Sequence, residues 1–369
     1  MSDNKLSIII ISKGEIRSGN LPNFEDPDGI AVMTAEKRRA VLENPLSNSD
    51  DDPALILGLS GNIAIGRFDL FPGEVELDGN ATPIVWGSAL YVSEKHRHTG
   101  IGLMLILRMQ SVAPAVGVLG VSQAALPLYR SLRWTEVGLP RYVLVRRSRA
   151  FIAAFLRSDR LARLLAPFAD VIFAAWRFRI RRRIDKLSRS YTVVSLSKMP
   201  DHLTPRPVPV PRAMPHRSPK WMNWLLRNSF GDDPSLRKAL FMITKHGSDT
   251  PLGYFLLKKR RFTEITRWQI RNVTIGSVQD WITFDPSSLP ESDVLVLAIT
   301  ECMQRDVDAV EICTKEPGIE TTLRRWGLIA MSDLNFFYKA NPASPLADPL
   351  WREPRHWWLR PAEGDNFFS

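Results

Sequence analysis

The chain has 369 residues, 44% hydrophobic and 24% charged, a globular composition whose length points to two domains rather than one. Its two cysteines, Cys302 and Cys313, have neither a C-x-x-C partner nor a His cluster nearby, which argues against a disulfide framework and a structural zinc; no metal is expected, and a reducing cytoplasm is the default. The net charge of +10 is concentrated in one segment: Arg146 to Arg189 carries 13 Lys+Arg against three Asp, an excess equal to that of the whole chain, so the flanking halves are together close to neutral.

In chain order, the opening M-S-D-N-K-L-S-I-I-I-I-S-K has a core of four isoleucines and reads as a first strand, Leu6 to Ser12. That core is too short for a signal peptide or a membrane span, and no other apolar run approaches the roughly 18 residues a membrane helix needs. Thr34 to Asn44 reads as a helix capped by Thr34. Ala54 to Asp69 reads as a hairpin about Ser60-Gly61-Asn62. A strand, Ile84 to Val92, leads through a short polar loop into a helix, Leu103 to Ser111. A buried strand at Val116 to Val121, a helix at Ala124 to Trp134 and a last strand at Arg141 to Val145 follow. Strands alternating with helices, together with a hairpin, imply an α/β layer with a mixed sheet.

The junction at Val92 to Gly102, V-S-E-K-H-R-H-T-G-I-G, carries the chemistry. The loop and the first helical turn present unpaired N–H groups, the helix dipole adds positive charge, Gly100 and Gly102 permit close approach, and Arg97 supplies fixed charge. This is a pattern for binding pyrophosphate. It lacks the G-K-[ST] ending of a P-loop and the G-x-G-x-x-G order of a dinucleotide fold.

R-x-x-G-x-G directly after a strand ending in Val resembles the acetyl-CoA loop of the GCN5-related N-acetyltransferase (GNAT) superfamily. The helix A-A-L-P-L-Y-R-S-L-R-W resembles the one that ends in Tyr-x-x-Leu-Gly-Phe in that family, with Tyr129 on the tyrosine. The resemblance implies acetyl-CoA as co-substrate. Its pantetheine would bond the backbone of Leu90, Tyr91 and Val92. Its pyrophosphate would sit on Arg97, His98, Thr99, Gly100, Ile101 and Gly102, with Ser122 in the place of a frequent Asn. Tyr129 would be the acid that protonates the leaving thiolate; the competing reading is an aromatic side chain packed on the sheet. Arg133 and Trp134 depart from the pattern, standing for Gly and Phe. Ser88 and Ala89 stand where many members carry a base glutamate, so the base is not identified. Asp69, Glu76, Glu94 and His96 are substitutes, each of which also reads as a solvated surface group.

The basic connector has Phe151, Ile152, Phe155, Leu156, Leu161, Leu164 and Leu165 at helical spacing, a break or kink at Pro167, then a second helix from Val171 into R-I-R-R-R. It reads either as amphipathic helices with solvated arginines or as a peripheral contact with an anionic membrane. No nucleic-acid recognition fold accompanies the charge.

The second half repeats the first: a strand at Tyr191 to Val194, a Pro-rich loop from Thr204 to Pro219, a hairpin from Phe241 to Leu257, a strand from Thr274 to Phe284, and a helix from Leu295 to Arg305. A strand at Ala309 to Cys313, a helix at Glu320 to Leu328, and Phe336 to Tyr338 as the closing strand complete it. Its loop, F-D-P-S-S-L-P-E-S-D, has no glycine; Asp285, Glu291 and Asp293 would repel a pyrophosphate, and Leu323 replaces the tyrosine. Trp351, Trp357 and Trp358 read as a packed terminal strand.

The expected fold is α/β, two GNAT-like mixed-sheet domains in tandem: residues 1–146, a helical connector at 147–190, and a degenerate copy at 191–369. The expected activity is transfer of an acetyl group from acetyl-CoA to a small-molecule amine, an amino sugar being one candidate. The alternative is a non-catalytic acyl-CoA-binding scaffold. A cytoplasmic or peripheral membrane location follows from the same reading.

Overall fold

The computed structural model describes residues 5–31, 33–203, 205, 212–228, 233, 235–265 and 269–362. The chain divides into two units, residues 1–137 with 211–232 and 335–369, and residues 138–210 with 233–334.

Strand β1 (Leu6–Ser12) passes directly into α1 (Lys13–Ser18), because Ser12 and Glu15 form a capping box: the Ser12 N–H donates to the Glu15 carboxylate at 2.7 Å and the Glu15 N–H donates to Ser12 Oγ at 3.3 Å. Helix α2 (Ala35–Leu42) starts at Thr34, whose hydroxyl accepts the Lys37 N–H. Strands β2 (Pro53–Ser60) and β3 (Ile63–Leu77) form the expected hairpin about the left-handed Gly61, and β3 turns at Asp78-Gly79 into β4 (Asn80–Val92). Then come α3 (Ile101–Met109), β5 (Ala115–Leu119), α4 (Leu126–Ser131) and β6 (Thr135–Leu139).

Strand β7 (Arg141–Val145) leads to α5 (Arg149–Leu156) and the 29-residue α6 (Asp159–Leu187). The break falls at Arg157 and Ser158, not at Pro167: Arg157 is left-handed and Ser158 caps α6, accepting the Leu161 N–H. Pro167 lies inside α6 on its exposed side, at a position where the helix continues past it. Then follow β8 (Tyr191–Leu196), β9 (Ala213–Pro215), α7 (Pro219–Arg227), β10 (Arg237–Lys245), β11 (Pro251–Ile265), β12 (Ile270–Thr283), α8 (Glu291–Gln304), β13 (Ala309–Cys313), α9 (Pro317–Arg325), β14 (Ile329–Ala330) and β15 (Leu334–Ala340). Most of the expected Pro-rich loop before β9, and the last seven residues of the aromatic tail, lie outside the described residues.

The first sheet runs β1-β2-β3-β4-β5-β15-β6, with β9 added to β3. The second runs β14-β7-β13-β12-β11-β10-β8. Both are mixed: β4–β5 and β12–β13 are parallel, each bridged by a crossover helix, α3 or α8.

Two expectations change. Arg141 to Val145 does not close the first sheet; β7 pairs antiparallel with β13 in the second, with Leu144 opposite Val310. Phe336 to Tyr338 does not close the second; β15 lies in the first sheet, with Phe337 opposite Val118. Each sheet has one late position open to an apolar strand, and two such strands of similar pattern fill them in exchanged order. The boundaries at 146 and 190 therefore do not separate the units. Residues 213–228 also belong with the first unit, where the Trp224 indole donates to the Ala40 carbonyl at 2.9 Å. Trp351, Trp357 and Trp358 are buried as expected, but in short 3-10 turns and the bend after them rather than a strand; Trp357 packs edge-on to Phe336 and at a tilt to Tyr338 in the first unit.

The second unit's core gathers Phe241, Phe255, Trp281, Leu295 and Ile312. Cys302 and Cys313 are free thiols buried there, both pushed up to about 12 by loss of hydration.

Candidate active site

The site is built where β4 leaves its neighbours. On one side β4 pairs with β3 in a register that shifts: Ser88 lies opposite Asp69 and Tyr91 opposite Arg67, so Ala89 and Leu90 together face Phe68. This is a β-bulge, and Ala89 adopts φ 49° to make it. On the other side, parallel pairing with β5 covers only Val85, Trp86 and Gly87. Past Gly87 the two strands part, leaving a wedge beside Leu90, Tyr91 and Val92.

Alternation then gives β4 two different faces. Leu90 and Val92 pack into the cluster holding Leu105, Ile106 and Tyr129. Ala89 and Tyr91 instead line an open cleft of about 380 Å³ with Asp28, Ile30, Thr34, Lys37 and Arg67.

The phosphate loop follows. Ser93 closes its start, its hydroxyl 2.7 Å from His96 Nδ1. Arg97, His98, Thr99 and Gly100 are exposed. Gly100 is the N-cap of α3 in the left-handed region, φ 81°, with no side chain capping the helix. The first turn of α3 thus offers uncapped N–H groups beside Arg97, whose counter-ion among the described residues is the exposed Glu94 at 3.5 Å. Open space surrounds Gly100, and Gly102 has only Val92 nearby.

Glycines also set the height of α3. Ile101, Leu105 and Met109 lie one turn apart on its inward face. Beneath them are Gly58, Gly66 and Gly87, on three successive strands. A Cβ at these positions would fall 2.6 Å from Ile101 Cγ1, 3.1 Å from Leu105 Cδ1 and 2.7 Å from Met109 Cε. Only glycine lets the helix sit this low.

Tyr129 lies on α4 with 2% of its surface exposed, its ring edge-on to Trp134 at 5.0 Å and against Phe337 at 5.4 Å. It shares the cluster with Leu90 and Val92, so the fold brings it to the wedge side of β4. Ser122 is exposed at the foot of α4, where its carbonyl accepts the N–H groups of Ala125 and Leu126.

Of the base candidates, Glu94 is exposed and His96 is partly buried on the loop. Glu76 lies in the half of β3 that pairs with β9, away from the bulge. Asp69 is not a solvated group: it is buried under the cleft, where Lys37 donates to it and the Arg67 guanidinium bonds both its oxygens at 2.7 and 2.9 Å. Arg67 also donates to the Ile30 carbonyl at 3.0 Å. Sequence reasoning missed Lys37 and Arg67 as site residues. The signal available was weak: Arg67 and Asp69, two apart and so on one face, are the charged pair in the apolar first half of β3, ahead of Glu74 and Glu76.

Among its described residues the second unit shows no counterpart of this loop. Glu291 accepts the Trp281 indole N–H, Arg183 pairs with Asp293, and the Asp285 carboxylate, held at about 2 by hydrogen bonds from Ser287 and Ser288, closes its own turn. Leu323 is buried where the first unit has Tyr129.

No protein-family model matches the chain, and no curated protein does. Solved structures match in shape. Saccharomyces cerevisiae N-myristoyltransferase with bound myristoyl-CoA is similar at a TM-score of 0.53 and 14% identity, over 94% of this chain and 80% of that one. A second structure of that enzyme with its acyl-CoA gives 0.50 and 13%, over 97% and 90%. A tandem GNAT protein from the clavulanic acid biosynthesis pathway gives 0.48 and 11%, over 92% and 100%. At such identities the likeness shows the fold alone: two mixed α/β halves, as in the N-myristoyltransferase structures.

Proposed function

We propose that the protein is an acyl-CoA-dependent N-acyltransferase working from its first unit, with acetyl-CoA as donor and a small-molecule amine as acceptor. The observation that carries this reading is the combination, on one strand, of a bulge at Ala89, a wedge past Gly87 and an uncapped helix at Gly100. The wedge suits a pantetheine arm bonded to the backbone of Leu90 to Val92, and the helix start suits a pyrophosphate. The cleft lined by Ala89, Tyr91, Lys37 and Arg67 suits a polar acceptor, an amino sugar being one candidate, approaching from the opposite face of β4.

In this mechanism the acceptor nitrogen attacks the thioester carbon. The C–N bond forms, a strand N–H near Val92 holds the oxyanion, and the C–S bond then breaks. The thiolate takes the Tyr129 hydroxyl proton, and the proton lost by the amine leaves through water.

Calorimetry with acetyl-CoA tests the donor site. Micromolar binding that is lost in a Gly100→Glu/Gly102→Glu variant is expected; no binding by the wild type overturns the assignment of acetyl-CoA. A second reading, a CoA-binding module without turnover, is favoured by Asp69: this buried carboxylate beneath the cleft is engaged by two cations rather than open to an amine.

A further inference from the structure

The most exposed apolar surface is remote in sequence from the candidate site. Along α6, Leu161, Leu164, Leu165, Phe168, Val171 and Ile172 are all exposed, Phe168 to 73%. At 100° per residue they fall within roughly 120° of the helix circumference. The side of α6 that packs is another one, carrying Ala162, Ala166 and Ile180. The helix is therefore apolar on two sides, and one faces solvent. Phe155, near the end of α5 just before α6, is also exposed, 87% accessible. Soluble proteins rarely leave so continuous an apolar stripe in water without a use for it.

Charge names the partner. Arg157 and Arg160 flank the stripe at its start, and Arg181 and Arg182 at its end; among the described residues none of the four has a carboxylate partner. Arg182 lies over the Phe178 ring at 5.0 Å, an arrangement that keeps an aromatic and a cation at one depth. Exposed apolar side chains between unpaired guanidiniums match an anionic lipid headgroup layer over its acyl boundary. A self-complementary contact between two copies of this face would set these cations against one another. Crossing the bilayer is a different matter: among the described residues no helix is long and apolar enough.

We infer that the α5–α6 hairpin is a peripheral docking surface for anionic membranes, with α6 lying in the interface plane and its exposed stripe entering the acyl boundary. The inference is independent of the acyltransferase reading.

The test is co-sedimentation of the full chain with vesicles of phosphatidylcholine alone and of equal parts phosphatidylcholine and phosphatidylglycerol, at low and moderate salt. Binding is expected to the anionic vesicles, at least about ten-fold stronger than to the neutral ones, and to weaken with salt. Phe155→Ser/Leu164→Ser/Phe168→Ser and, separately, Arg157→Glu/Arg160→Glu should each reduce it about ten-fold or more. These side chains are exposed, and unchanged circular dichroism and thermal midpoint confirm intact folding. No binding to anionic vesicles at low salt overturns the proposal. So does binding that both variants retain, and so does a concentration-dependent dimer in sedimentation velocity that the serine variant abolishes while wild type leaves vesicles untouched.

Discussion

Gly58 lies directly beneath Ile101, so close that a single methyl at Gly58 would stand 2.6 Å from Ile101 Cγ1. Ile101 is the first residue of α3 and is fully buried, so the height of the uncapped helix start above the sheet is fixed by a residue on β2, far from the loop in sequence.

Gly58→Ala should therefore lift the start of α3. Overpacking of this kind costs about 1–3 kcal/mol, and acetyl-CoA affinity should fall by about ten-fold as the loop N–H groups lose their alignment. Adding Ile101→Ala should restore much of both, read by urea unfolding and calorimetry. A Gly58→Ala protein with wild-type affinity would separate helix height from donor binding.

Tyr129→Phe keeps the ring that packs on Trp134 and Phe337 and removes only the hydroxyl. If Tyr129 is the acid, turnover should fall about 10²-fold with acetyl-CoA affinity unchanged. Steady-state kinetics beside calorimetry decide it; unchanged turnover assigns Tyr129 to packing alone.

Asp69→Asn should be costly, because it leaves Lys37 and Arg67 buried without their shared carboxylate. Breaking such a cluster costs about 3–5 kcal/mol, measurable by urea denaturation. Lys37→Met/Asp69→Leu, which removes a charge of each sign, should lose clearly less.

Lys238 gives a pH prediction. Burial, reinforced by Lys258 opposite it on the neighbouring strand, lowers its ammonium from 10.5 to about 6. Between those values the unfolded chain holds a proton that the folded one releases, so this group makes stability rise with pH from about 6 towards 10.5. Lys238→Met should raise the thermal midpoint at pH 7 by about 2 °C or more, with the gain shrinking towards pH 10. A gain that does not change with pH would mean Lys238 stays charged in the fold.

Much of this was legible in the chain. The Ser60-Gly61-Asn62 hairpin, the Thr34 cap and the strand–loop–helix at Val92 to Gly102 are local patterns, written in alternation, caps and glycines within a few residues of one another. The order of elements and the degenerate second loop follow from the same cues. The exchange of β7 and β15 was not legible, since R-Y-V-L-V and N-F-F-Y-K are both plain apolar strands and nothing in either says which open sheet edge it joins. The Lys37–Asp69–Arg67 cluster was hidden for a similar reason: 32 residues separate Lys37 from Asp69, and only the packed sheet brings them together. The bulge at Ala89 leaves no sequence mark, because alanine has no preference for the left-handed backbone it adopts there.

The exchanged strand also fixes a timetable. During synthesis, β5 emerges with its outer edge unpaired, and the strand that covers it, β15 (334–340), begins 215 residues after β5 ends at 119. At about 5–20 residues per second that is roughly 10–40 s on the ribosome. Through that interval the first half, including the donor loop, exists only with an open edge able to pair with other chains. Proteolysis of chains stalled before residue 334 would reveal it as cleavage around β5. The half that carries the candidate donor site is thus written before its neighbour and finished after it, and a gene fragment ending at 146 would encode a sheet still waiting for its strand.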